Sequence, residues 1–259
     1  LNFFESKPLF GKNVIVTRSR TQSSSLVSKI SDLGGNPIEV PTIKIEKIEN
    51  NIALENEIKN IKDYTYLILT SKNAVDIFFD KLDEMDLDSR VLANLKVCAI
   101  GSATAKEIKN RGIKADVVPE KFVAEYLFEE LKDVLKDSDK VLIPRSKNAR
   151  DFLVDKISEI CEVKEVHIYE TVLDDSKKDE VLDILNSGEA DYITFASSST
   201  VTNFVDIIGK ENIDKLNELK VISIGPITTQ TAKSLNINVY NEAEVSTIDG
   251  MIDSIMNDK

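Results

Sequence analysis

Tyr192-Ile193-Thr194-Phe195-Ala196-Ser197-Ser198-Ser199-Thr200-Val201-Thr202-Asn203-Phe204 is an apolar run that stops at a serine and continues with helical spacing. It reads as a buried strand, a hydroxyl-rich turn and the start of a helix. The chain carries the pattern twice. Tyr66-Leu67-Ile68-Leu69-Thr70-Ser71-Lys72-Asn73-Ala74-Val75-Asp76-Ile77-Phe78 is the earlier copy, 126 residues upstream. Serine and threonine hydroxyls accept hydrogen bonds from the orphan N–H groups of a helix start. Those N–H groups, together with the helix dipole, also make an anion site. A helix cap accounts for one copy; two copies in register ask for more.

Outward from this pair, the rest of the chain matches itself in the same order. Val14 and Arg18 match Val141 and Arg145 at an offset of 127, as Lys29-Ile30-Ser31 matches Lys156-Ile157-Ser158. Lys96, Val97, Ile100, Gly101 and Thr104 match Lys220, Val221, Ile224, Gly225 and Thr228 at 124. An offset that drifts by three residues is what small deletions produce, whereas chance likeness of strands would scatter it. The period is far beyond the roughly 20–50 residues of solenoid repeats. Short apolar strands, such as Asn13–Thr17 and residues 37–45, 96–100, 115–118, 140–144, 163–171 and 237–240, alternate with helical stretches, among them residues 52–61, 122–135 and 177–185. That alternation predicts α/β units with mostly parallel sheets, here two similar domains arising by internal duplication. Pro41 demotes the middle of 37–45 to an edge or a crossing point. Ligands of such folds lie off the carboxyl ends of the strands, so two facing domains would line a cleft with their strand-to-helix turns.

Composition narrows the function. The 259 residues carry a net charge of −12 with no dense Lys/Arg block, which argues against a nucleic-acid partner. An anionic ligand would have to be held by a few local cations and backbone amides against that field. No apolar run approaches the ~20 residues of a membrane span. Leu1-Asn2-Phe3-Phe4-Glu5 lacks the pattern of a signal peptide, and Cys98 and Cys161 read as buried free thiols, so the expected compartment is the cytoplasm.

The common catalytic motifs are missing: there is no G-x-G-x-x-G after a strand, no Walker loop and no G-x-S-x-G elbow. The one histidine, His167, excludes multi-histidine metal sites, and strand alternation puts it on the same face as Tyr169. What remains is a set of turns offering hydroxyls, amides and cations: Thr17-Arg18, Ser71-Lys72-Asn73, Gly101 to Thr104, Arg145-Ser146-Lys147, Ser197-Ser198-Ser199, and Gly225-Pro226-Ile227-Thr228. Arg18 and Arg145 read as exposed arginines at helix starts, where a cation opposes the dipole; that misfit at equivalent positions points to anion binding, with carboxylates suiting the guanidinium fork.

Several of these stretches, taken in order, resemble uroporphyrinogen-III synthase. They are Arg18 after a first strand, Thr70-Ser71-Lys72-Asn73-Ala74-Val75, Ile100-Gly101 to Thr104-Ala105, Ile143-Pro144-Arg145, Ile168-Tyr169-Glu170-Thr171, Phe195 to Val201, and Ile224-Gly225-Pro226 to Thr228. The resemblance implies two flavodoxin-like α/β domains joined by a two-stranded connector, with the active site between them. The implied division is residues 1–39 plus 173–259, residues 46–166, and connector strands 40–45 and 167–172. The implied reaction is cyclisation of hydroxymethylbilane, a linear tetrapyrrole with eight carboxylates, losing water and inverting the last pyrrole ring to give uroporphyrinogen III. No cofactor or metal is implied. Tyr169 is the implied acid for the leaving hydroxyl. Ser71, Thr104, Arg145, Ser197, Ser198 and Thr228 are the implied substrate contacts, to which the turn chemistry adds Arg18, Lys72, Lys147 and Gly225. The implied protein is a monomer, with at most transient contact with the enzyme that makes hydroxymethylbilane. The alternative is a two-domain binding protein that closes on an anionic solute without catalysis.

Overall fold

The structure, a computed structural model, describes residues 6–17, 20–121 and 123–258, and the side chains of residues 20–24 lie outside that description. Its first strands are β1 (Asn13–Thr17), β2 (Asn36–Glu39), β3 (Ile43–Lys47), β4 (Tyr66–Leu69) and β5 (Lys96–Ala99). There follow β6 (Lys140–Ser146), β7 (Glu162–Leu173), β8 (Tyr192–Phe195), β9 (Lys220–Ser223) and β10 (Val239–Glu242). The first helices are α1 (Arg20–Asp32), α2 (Ile52–Lys59), α3 (Lys72–Glu84), α4 (Ser102–Asn110), α5 (Ala124–Leu131) and α6 (Phe152–Ser158). The remaining helices are α7 (Lys178–Ser187), α8 (Ser198–Ile208), α9 (Ile213–Leu216), α10 (Pro226–Ser234) and α11 (Ile248–Met256).

Two compact units result, one of Leu1–Lys44 with Val172–Lys259 and one of Ile45–Thr171. One sheet has the order β10-β9-β8-β1-β2, every neighbour parallel. The other has the order β3-β7-β6-β4-β5, parallel from β7 to β5, with Val117 bridging Cys98 beyond β5. The series β2-β1-β8-β9-β10 and β7-β6-β4-β5-Val117 therefore run in the same order. Their strand entrances are alike as well. Asp191 N donates to Asn13 O at 2.9 Å and Lys220 N to Asp191 O at 3.1 Å; in the other sheet Thr65 N donates to Lys140 O at 2.9 Å and Lys96 N to Thr65 O at 2.8 Å.

Each sheet is covered on both faces, which is why its central strands read as unbroken apolar runs. In β4, Leu67 and Leu69 pack with Val75, Phe78 and Ile108 beneath α3 and α4, while Ile68 points to the opposite layer with Leu127, Leu153 and Ile157 of α5 and α6. In β8, Ile193 and Phe195 meet Val201, Phe204 and Val205 of α8, while Tyr192 joins Leu26, Ile30 and Met251 across the sheet.

The structure amends four local expectations. Residues 37–45 are not one strand: β2 and β3 are separated at Val40-Pro41-Thr42 and belong to different sheets, as Pro41 can donate no ladder bond. Residues 115–118 form only the Val117 bridge, because the Asp116 carboxylate takes the Val97 N–H at 2.8 Å in place of a ladder carbonyl. The helix expected over 122–135 is confined to Ala124–Leu131, and the strand expected over 140–144 runs on to Ser146, which carries Arg145 into the sheet.

Candidate functional site

Parallel strands deliver their following turns to one edge of each sheet, and most of the chemistry-bearing residues gather there. In the Ile45–Thr171 unit, β4 ends at Thr70-Ser71. Ser71 is in extended geometry as the cap of α3, its Oγ accepting from Ala74 N at 3.1 Å. The same oxygen lies 2.8 Å from the hydroxyl of Tyr169, either group able to donate. Tyr169 is 6% exposed on β7, so its ring is fixed by the core while its hydroxyl is fixed by a helix cap. Both residues stand out in the sequence, but nothing in a separation of 98 residues announces their contact.

The expectation that His167 and Tyr169 share a face is corrected. The β6–β7 register shifts between Arg145, opposite His167, and Ser146, opposite Tyr169. Alternation breaks at that irregularity, so consecutive Ile168 and Tyr169 are both buried while His167 is exposed against the Glu165 carboxylate.

Arg145 is likewise not an exposed arginine at a helix start. It lies within β6, 3% exposed. Its Nε donates to Glu165 Oε1 at 2.9 Å, Nη1 to the Arg150 carbonyl at 2.6 Å and Nη2 to Asp151 Oδ1 at 2.7 Å. Two carboxylates and a carbonyl thus neutralise and saturate most of the fork, as a buried charge requires. The cations on the same edge that remain exposed are paired to surface carboxylates. Lys72 meets Asp76 at 2.6 Å, a hydrogen bond that raises the lysine pKa, and Lys147 meets Glu170 at 3.5 Å. Arg150, not singled out in the sequence, pairs with Glu125.

The turn after β5 has different chemistry. Gly101 caps α4 at φ 91° and ψ 151°, a region essentially reserved for glycine, and offers no side-chain acceptor to the first-turn N–H groups. Thr104 sits in that first turn, buried.

The other unit repeats this division. Ser197 caps α8, accepting from Thr200 N, while Thr200 Oγ1 accepts in return from Ser197 N at 3.3 Å. The next hydroxyl, Ser198 Oγ, is buried with no hydrogen-bond partner among the described residues. After β9, Gly225 caps α10 without a side-chain acceptor. Its backbone lies so close to Ser246 that a Cβ there would stand 2.5 Å from the serine oxygen. Thr228, like Thr104, is buried in the first turn that follows. Each unit therefore carries a serine-capped helix beside a glycine-capped one, the second leaving its amides without a side-chain partner. Arg18 lies outside the described residues.

Fold and edge chemistry together define a chain of two doubly wound α/β units whose strand-end turns are built from hydroxyls and backbone amides, with the buried Tyr169 phenol at that edge of the Ile45–Thr171 unit. The sequence profile of the family described as uroporphyrinogen-III synthase HemD matches residues 24–253, and the chain belongs to that family. A uroporphyrinogen-III synthase of Synechococcus elongatus is 30% identical over 252 residues, covering 95% of each protein. A porphyrin biosynthesis protein HemD of Ruminiclostridium josui is 38% identical over 98% of this chain, which spans only half of that relative's length. Among solved structures, a uroporphyrinogen III synthase from Thermus thermophilus has the same fold, with a TM-score of 0.55 at 16% identity over 93% of this chain and 96% of that one. Among the described residues no helix is long and apolar enough to cross a membrane.

Proposed function

We propose that the chain cyclises hydroxymethylbilane to uroporphyrinogen III, with loss of water and inversion of the last pyrrole ring. Membership of the uroporphyrinogen-III synthase family supports the reaction class. The observation that carries the mechanism is the contact between the Tyr169 hydroxyl and Ser71 Oγ. The pyrrole nitrogen pushes the hydroxymethyl oxygen off, that oxygen takes the phenol proton, and water leaves. Ser71, its lone pair engaged by the Ala74 N–H, turns its own hydrogen toward the phenolate oxygen and stabilises it. The substituted carbon of the last ring then bonds to the freed methylene, and its bond to the original bridging methylene breaks. That bridging methylene bonds to the ring's unsubstituted α-carbon, whose released proton restores the phenol. The linear substrate also closes unaided to the wrong isomer, so the protein's larger contribution is orientation. The glycine-capped helix starts at Gly101 and Gly225 suit carboxylate arms, with Thr104 and Thr228 behind them. Lys72 and Lys147 exchange their surface carboxylates for those of the substrate at small cost. Ser197 and Ser198 take the same role on the first unit, and Arg18 completes the set.

The reading includes a monomeric chain in the cytoplasm that takes its substrate from the enzyme making hydroxymethylbilane. It also includes a duplicated origin for the two units, supported by their equal strand orders and strand entrances. The connector strands at 40–45 and 167–172 find support in the break at Pro41 and in the unit boundaries. The test is consumption of freshly prepared hydroxymethylbilane by the purified chain. Loss faster than in buffer supports catalysis; binding that leaves the spontaneous rate unchanged would favour a solute-binding protein instead.

A further inference from the structure

The loop that leaves β6 is tethered more heavily than a surface loop needs to be. Ser146 Oγ accepts from Asn148 N at 3.1 Å, Asn148 Oδ1 accepts from Thr171 N at 2.8 Å, and Lys147 N donates to the carbonyl of Tyr169 at 2.9 Å. From below, buried Arg145 grips the Arg150 carbonyl and the Asp151 carboxylate. These bonds spend a saturated, desolvated arginine on fixing the backbone at 150. The side chain they position is itself 71% exposed, a second guanidinium at the mouth of a cavity of about 110 Å³. Thr70, Ile100, Ile143 and Leu153 line that cavity together with Arg145 and Arg150, and Thr70 adjoins the serine that holds Tyr169.

The cavity is small beside the roughly 300–1,000 Å³ of a pocket for a whole drug-sized ligand, so it admits one arm of a large molecule. Its walls are apolar and its polar end is cationic, which matches a short alkyl chain ending in a carboxylate. The protein already supplies such a group. Glu125 approaches from α5 and takes the Arg150 fork with both oxygens, Nη1 to Oε1 at 2.9 Å and Nη2 to Oε2 at 3.2 Å. A glutamate side chain is two methylenes and a carboxylate, chemically a propionate. The pair is exposed on both sides, and such pairs exchange at little cost.

Resting on the tetrapyrrole reading, we infer that Arg150 and the adjoining cavity form a subsite for one carboxyalkyl arm of the substrate. Glu125 holds the fork until that arm replaces it, and Arg145 is the positioning residue that keeps the fork in place. Arg150→Ala then raises KM for hydroxymethylbilane about five-fold, with kcat and melting temperature little changed, since an exposed bidentate pair contributes up to ~1 kcal/mol. Arg150→Lys, with charge but no fork, falls between. Glu125→Gln acts in the opposite direction and lowers KM, because the internal competitor has lost its charge.

A second readout is independent of turnover. Sodium propionate added to the Glu125→Gln protein shifts the Arg150 Nε–H resonance saturably, at lower concentration than in the wild type; propanol does not. An unchanged KM in Arg150→Ala, a KM that rises in Glu125→Gln, or no response to propionate would each overturn the subsite. Absence of turnover in the wild type, with the propionate response intact, would instead count against the functional reading alone.

Discussion

Removing the Tyr169 hydroxyl isolates the one contact on which the proposed chemistry depends. Tyr169→Phe keeps the buried ring and deletes only the oxygen that meets Ser71 at 2.8 Å. Positioned acid help typically contributes 10²–10⁴-fold, and a phenol is a weak general acid whose help falls at or below the low end, so the expected loss in kcat is about 10–100-fold, or ~1.4–2.7 kcal/mol. Ser71→Ala removes the hydrogen bond to the phenol and also the cap on Ala74, the latter costing about 1 kcal/mol of stability. If Ser71 acts through Tyr169, the kinetic cost of Ser71→Ala nearly vanishes once Tyr169 is already Phe, a coupling of ~0.5–1.5 kcal/mol expected for groups in direct contact. Turnover, product isomers and melting temperature are measured for all four proteins. Full turnover in Tyr169→Phe removes the phenol from the mechanism. Strict additivity, with Ser71→Ala equally costly in both backgrounds, refutes the proposed link while leaving each residue's own contribution intact.

Further outcomes follow from the same structure. Phe78→Ala and Phe204→Ala, at equivalent fully buried positions in the two units, each destabilise by about 3–5 kcal/mol in denaturant unfolding. Gly101→Ala, at a backbone conformation that side chains avoid, costs about 1–3 kcal/mol in the same assay. Asp258 accepts from Lys220, Tyr192 and Tyr240, and these donors depress its pKa from 3.8 to about 2. Its charged form is favoured in the folded state, so its contribution is complete above the unfolded pKa and is lost as pH falls from about 4 toward 2; Asp258→Asn flattens the acid limb of the stability profile in that window. Burial pushes the Cys98 thiol up to about 12, so a thiolate-directed reagent at pH 8 modifies it on unfolding rather than in the native protein.

The alternating architecture was legible because both sheets are covered on both faces: central strands such as β4 and β8 had to be apolar throughout, and each had to stop where its helix began. The crossover between the two units was legible only as a proline, since Pro41 signals a break in a strand but not the sheet to which each half belongs. At the edge, the capping serines could be read because a cap is local in sequence. The Tyr169–Ser71 contact could not, because it depends on the neighbouring strand order of β7, β6 and β4. Arg145 misled for a related reason. Its counter-charges, Glu165 on the adjacent strand and Asp151 beyond the loop, become neighbours only after the sheet is built. The broken alternation at Ile168-Tyr169 has the same origin, a register shift between strands that leaves no mark on either strand alone.

We propose that this chain directs which carbon of the last ring is attacked. Hydroxymethylbilane incubated with increasing amounts of the purified protein, followed by oxidation and separation of the uroporphyrin isomers, measures this directly. The type III isomer is expected to replace type I and to rise to nearly all of the product as protein is added. Type I alone, formed at the rate seen in buffer at every protein concentration, would contradict it.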